Sequence, residues 1–252
     1  MKMTRQVQLL LALCLLGLNL PANARDTQLL WGDTHLHTML SPDAYIMGNR
    51  SLLPDDSYRF AKGLPVVNAH TRHKIQIETP LDFLVVSDHA EYMGIIPRLF
   101  SGDEALTGTP AGKRFTELVG DGKTREAFFE LVQSANNRVP ISDFVDKEVI
   151  SDIWREIYET ADAHYEPGVF TSLIGWEWSS ITEGANLHRI VFQKEDASVA
   201  SQYAPYSLFD SDRPEDLWQW MEDTGKRTGA SFLAIPHNGN VSKGLMFAEV
   251  DS

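Results

Sequence analysis

The sequence predicts an α/β fold with a largely parallel sheet, and two observations carry that expectation. Short apolar runs of strand length recur along the chain without polar alternation, as parallel strands covered on both faces do. Stretches of helical periodicity lie between them, which implies βαβ units. The 252 residues show no internal repeat and no low-complexity linker, a length that suits one domain.

Taken in order, the first element is a targeting segment. Lys2 and Arg5 form a basic start, Val7 to Leu20 is nearly unbroken apolar sequence, and Ala22-Asn23-Ala24 is a small-x-small cleavage site. The run is short for the roughly 20 residues of a bilayer span. We therefore expect a signal peptide over 1–24, cut after Ala24, and a periplasmic or secreted chain without a stable membrane anchor. Cys14 lies inside that run behind Leu13, where a lipid-anchoring signal would want a small residue, so 25–252 holds no cysteine. Such a chain suits an oxidising compartment. It also leaves His, Asp and Glu to do any metal ligation.

Leu29 to Trp31, Asp82 to Ser87, Phe170 to Trp176 and Ser231 to Pro236 read as buried strands, and Leu187 to Gln193 as a better-alternating one. Asp143 to Tyr165 reads as a helix, with Val145, Val149, Ile153, Trp154 and Ile157 at helical spacing. Asp212 to Thr228 reads as another, with Pro214 in its first turn, Leu217, Trp218 and Met221 inward, and Gly229 as its stop. Residues 101–140 look like an insertion between core elements, with a helix at Arg125 to Ser134. The formal net charge of −13 becomes −15 once the two basic residues of the leader are removed. That disfavours nucleic acid or an anionic membrane as partner and fits either plain solubility or carboxylates facing cations.

The chemistry-bearing residues gather at the strands. Of eight histidines, His35 and His37 follow the first strand, His89 the second and His237 the last, while His188 lies on the alternating one; Glu177 ends the third. The carboxyl ends of parallel strands converge on one face, so these residues would meet in space. In an extended chain, residues i and i+2 project to the same side, so both imidazoles of His-Leu-His can reach one cation. His70, His73 and His164 fall in loop or helical stretches and are expected to face solvent. Trp176 and Trp178 flank Glu177 and are expected to pack in the core. "GTPAGKR" at 108–114 lacks both the full phosphate-loop pattern and a preceding strand.

The motifs "GDTHLHTMLSPDA", "PLDFLVVSDHAEYMG", "GWEW", "NLHRIVF" and "AIPHNGNVSKGLMF" resemble, in order, those of the polymerase and histidinol phosphatase (PHP) superfamily, closest to a secreted branch catalogued as a domain of unknown function. The resemblance implies a distorted (β/α)7 barrel carrying up to three metal ions and hydrolysing phosphoesters. It places His35 and His37 on a first metal, Asp43 and His89 on a second, His188 and His237 on a third, with Glu177 bridging the first and third. The superfamily's closing Asp-x-His is absent and only about five strands are visible. The expectation is therefore a barrel incomplete at its C-terminus, in the N-terminal part of a longer protein.

Nitrogen and oxygen ligands suit Zn, Mn or Fe, and a carboxylate-rich set also admits Mg or Ca, two or three ions per full-length chain. Water activated by such ions would attack phosphorus in line, with no side-chain nucleophile. Asp88 and Asp33 adjoin ligands; either accepts a proton from an imidazole and fixes its tautomer, or caps backbone amides. Arg189, Asn238 and Lys243 are candidates for gripping a phosphate oxygen, although on a strand Arg189 points away from His188. A small-molecule phosphoester is the expected substrate. The alternatives are a non-catalytic metal-binding protein, or hydrolysis of another ester or amide.

Overall fold

The structure, a computed structural model, describes residues 27–247; the proposed signal peptide lies outside the described residues. Along the chain, β1 (Gly32–Leu36) is followed by α1 (Pro42–Ile46), α2 (Pro54–Ala61), the two strands β2 (Val66–Val67) and β3 (Lys74–Ile75), and β4 (Phe83–Val86). Next come α3 (Ile95–Ser101), α4 (Glu104–Thr107), α5 (Pro110–Gly120), α6 (Thr124–Asn136) and α7 (Lys147–His164). The chain continues through β5 (Thr171–Trp178), β6 (Arg189–Gln193), α8 (Ala197–Ala200), α9 (Pro214–Thr228) and β7 (Phe232–Pro236).

Five strands form one sheet in the order β1-β4-β5-β6-β7, and β2 pairs with β3 separately. The β1, β4 and β5 strands are parallel, whereas β6 runs antiparallel to both β5 and β7. The distorted (β/α)7 barrel, expected to be incomplete at its C-terminus, is thereby corrected: the sheet is mixed and curls into half a barrel. The reason is local. A parallel return needs a crossover of a dozen or more residues, usually helical, and between Trp178 and Arg189 the chain forms only a short 3-10 turn at Thr182–Gly184. Strand β6 must therefore run back beside β5.

The curl is visible in the spacing. Four interstrand steps of about 4.8 Å would set β1 and β7 some 19 Å apart in a flat sheet, yet the rings of His35 and His237, from those two strands' ends, have centroids 4.1 Å apart. Gly175 permits the curvature at the centre. A Cβ there would lie 2.6 Å from the Val191 carbonyl oxygen and 2.7 Å from Val85 Cγ1, so β5 has no room for a side chain between its neighbours.

Helix α7 starts where the Asp146 carboxylate accepts the backbone N–H groups of Glu148 and Val149, and buries Val149, Ile153, Trp154, Ile157 and Ala161 in the main core. Trp154, Trp176, Tyr203, Trp220 and Phe232 form a continuous aromatic cluster there. Helix α9 ends at Gly229 with φ 83°. It presents Leu217 and Trp220 inward, while Trp218, expected to be buried, is half exposed. His164 also departs from expectation: its ring stacks on Tyr58 and its Nε2 lies 2.9 Å from Asp55.

Candidate metal centre

The curled sheet brings residues from every strand of the five to one end. His35 sits in β1 and His37 just beyond it, His89 follows β4, Glu177 lies in β5 and His237 follows β7. His188 immediately precedes β6. Because that strand is reversed, its amino end lies at the same edge as the carboxyl ends of the others. Two links tie the edge together: Glu177 N–H donates to the Asp88 carbonyl at 3.0 Å, and His237 N–H to the His188 carbonyl at 3.3 Å.

Glu177, 1% exposed, is the hub. His37 Nε2 lies 2.6 Å from its Oε2 and His35 Nε2 3.2 Å; His188 Nδ1 lies 2.8 Å from its Oε1 and His237 Nε2 2.9 Å. Burial alone would raise its pKa, but these four imidazoles hold the carboxyl well below the usual range. Asp43, in α1, sits 3.2 Å from His37 Nδ1 and 3.8 Å from His89 Nε2, and is oriented by the Ser41 hydroxyl at 2.6 Å. Burial pushes the His37 imidazole down, but two flanking carboxylates, Asp43 and Glu177, outweigh it and raise the pKa to about 10. A cation between such carboxylates is what the arrangement stabilises.

Three overlapping groups could hold metal ions: His35, His37 and Glu177; His37, Asp43 and His89; and His89, Glu177 and His188. Within each, the ligand atoms lie within 4.8 Å of one another. The edge of a tetrahedron with bonds of about 2.1 Å is about 3.4 Å, so modest side-chain shifts suffice. His188 Nε2 and His237 Nδ1 are buried without a hydrogen-bond partner. Unpaired imidazole nitrogens beside a buried carboxylate fit a bound cation.

The family model described as "Protein of unknown function (DUF3604)" matches residues 24–252. The chain belongs to that family. No curated protein and no solved structure matches it.

Several residues of this family member take places other than those expected. Asp88 does not reach an imidazole: its Oδ1 accepts the Thr38 N–H at 2.5 Å and its Oδ2 the Thr38 hydroxyl at 2.7 Å, pinning the turn that follows His37. Burial pushes its pKa up to about 6, against those bonds. Asp33 accepts the backbone N–H of His35 at 2.8 Å, a local cap. Arg189 is buried, donates to the Leu187 carbonyl, and lies against Trp178 and Trp218, both 5.9 Å from its guanidinium carbon. It pairs with Trp178 in the sheet, on the face opposite Glu177, so the catalytic role expected for Arg189 is corrected to a packing role. The ammonium of Lys243 donates to the Glu183 carbonyl at 2.5 Å, and Asn238 is exposed.

Two residues that support the candidate metal centre escaped the sequence reading. The Ser179 hydroxyl donates to Glu91 Oε2 at 2.7 Å, and His89 Nδ1 is 2.9 Å from the same oxygen of Ser179. With its one proton given to Glu91, Ser179 must accept from His89 Nδ1–H. That leaves the Nε2 lone pair facing Asp43 and Glu177, the tautomer a ligand needs. Burial keeps the His89 pKa low, against the raising effect of Glu177. Glu91 is itself buried and accepts the Leu208 N–H at 2.6 Å. Ser179 had a signal, since it stands two residues beyond Glu177 on the same side of an extended strand; Glu91 had none beyond its nearness to His89.

Proposed function

We propose that the protein is a metal-dependent hydrolase, with phosphoesters as the substrate class, acting outside the cytoplasm. The observation that carries the reading is the convergence of four imidazoles on the one buried carboxylate of Glu177, flanked by Asp43 and His89. His35, His37 and Glu177 would hold one ion and Asp43 with His89 another, with His188 and His237 completing the set around Glu177. Divalent ions bound there supply charge for a phosphoryl group and acidify bound water.

The chain's own residues keep the ligands in place. Asp88 fixes the turn after His37, Ser41 orients Asp43, and the Ser179–Glu91 pair sets the His89 tautomer. The absence of thiol ligands favours Mn, Zn or Fe, with Mg or Ca also admitted. The PHP-like motif order supports phosphoester chemistry, and the leader-like segment 1–24 supports export. A cavity opening onto Asp43, His89 and His188 favours catalysis over mere metal capture.

The test is release of nitrophenol from p-nitrophenyl and bis(p-nitrophenyl) phosphate, before and after EDTA and on readdition of Mn²⁺ or Zn²⁺. Activity that needs the ion and is lost in His37→Ala supports the reading. Activity that survives both treatments contradicts it, and tight metal binding without turnover of any ester favours a metal-binding protein.

A further inference from the structure

Beside the cluster lies a cavity of about 170 Å³ whose walls have two characters. One end is formed by Asp43, His89 and His188, all candidate ligands. The opposite wall is apolar, formed by Phe128, Leu131 and Val132 of α6 with Ile181 of the β5–β6 connection, while Glu91, Tyr92 and Ser179 also line the cavity. Helix α6 belongs to the stretch 101–140, which reads in the sequence as an insertion and here covers one side of the metal centre. A second cavity of about 160 Å³ lies on the other side of Phe128 and Leu131, but none of the cluster residues reaches it.

Size and charge limit what the first cavity takes. An enclosed apolar cavity of about 150 Å³ holds one benzene ring, so this more open one has room for at least a six-membered ring. Among the described residues no Lys or Arg lines it, and its charged side chains are Asp43 and Glu91. Away from the ligand end, a leaving group carrying negative charge would be repelled, so the part of the substrate that lies against α6 is not anionic.

Resting on the hydrolase reading above, we propose that this cavity seats the leaving group of the substrate, and that the substrates are phosphoesters of an apolar, ring-sized alcohol or phenol. In the reaction a water oxygen bonds to phosphorus, the phosphorus–oxygen bond to the ring-bearing group breaks, and that oxygen leaves with a proton derived from the water. The phosphoryl group faces the ligand end while the ring lies against α6. Sugar and polyol phosphates, whose hydroxyls would lose water against Phe128 and Leu131, are disfavoured.

The test uses calorimetric binding of phenylphosphonate and methylphosphonate, which do not turn over, to the full chain loaded with Mn²⁺. Phenylphosphonate is expected to bind at least about tenfold tighter, since even one methylene in an apolar pocket is worth roughly that factor. Val132→Phe and, separately, Ala135→Leu fill the cavity from the half-buried side of α6, and each is expected to erase the preference. Circular dichroism identifies which variant has folded, and either one suffices. Equal affinities in the wild type, or a preference that persists in a folded variant, overturn the cavity assignment while leaving the metal-centre reading intact. If neither phosphonate binds, the phosphoester reading fails, and the assignment with it.

Discussion

Replacing Ser179 with Ala removes one hydroxyl and should weaken the metal centre without touching a ligand. In the wild type His89 Nδ1–H donates to Ser179 at 2.9 Å, and Ser179 donates to Glu91 at 2.7 Å. Once the hydroxyl is gone, the nearest carboxylate oxygen to His89 Nδ1 is Glu91 Oε2 at 3.8 Å, beyond hydrogen-bonding range. The imidazole then has no partner fixing its tautomer or ring orientation, and loss of such a partner costs about 10–100-fold in metal affinity. Glu91 keeps the Leu208 N–H but loses its other bond while buried, which costs about 1–3 kcal/mol of folding stability. Titration of the metal-free protein against a chromophoric chelator reads the first effect, and urea denaturation with EDTA present reads the second. Glu91→Gln should weaken the centre at least as much as Ser179→Ala, because an amide that donates to Ser179 turns the hydroxyl proton toward His89 Nδ1 and so favours the tautomer with its proton on Nε2. An unchanged dissociation constant in a folded Ser179→Ala protein would refute the tautomer argument.

Three other outcomes follow from the structure. In metal-free protein the folded His37 pKa of about 10 lies above its ordinary 6.5. Its stabilising contribution is therefore complete below about pH 6.5 and is lost as pH rises toward 10; urea midpoints with EDTA should fall over that window in the wild type and stay flatter in His37→Gln. Arg189→Met should leave metal affinity unchanged and lower stability by about 1–2 kcal/mol through lost contact with Trp178 and Trp218, measured by the same two assays. Gly175→Ala should destabilise by about 3 kcal/mol, the upper end for overpacking, because one of the atoms a methyl meets is the Val191 backbone oxygen; its thermal midpoint checks this.

Four of the five sheet strands were legible as short strand-like runs at 82–87, 170–176, 187–193 and 231–236, but the first was misplaced. Leu29, Leu30 and Trp31 are exposed and lie outside any strand, and β1 is the mostly polar Gly32–Leu36 that follows. The candidate cluster was legible because metal ligation would demand particular residue types in particular places. His35, His37, His89, Glu177, His188 and His237 all stand at ends that the curled sheet brings together. The direction of β6 was misjudged, though two signals were present. "LHRIVFQ" alternates as antiparallel strands do, and no helical stretch separates it from Trp178.

Other features depend on burial, which no local pattern records. Glu91 is a carboxylate like many on the surface until Ser179 and Leu208 enclose it, and Trp218 and Trp220 exchange roles through a small rotation of α9 about its axis. The cover that α6 provides is a tertiary fact, invisible in a Gly- and Thr-rich stretch read along the chain. Arg189 shows the reverse case: strand alternation alone already turned it from His188, and the structure places it against Trp178.

The central claim is that Glu177 and its surrounding imidazoles form a metal centre. Equilibrium dialysis of metal-stripped protein against Mn²⁺ or Zn²⁺, followed by elemental analysis, measures it directly. The wild type is expected to retain at least one divalent ion per chain, and folded Glu177→Ala to lose it. A wild type that retains none, or a Glu177→Ala variant that holds as much metal as the wild type, would contradict the account.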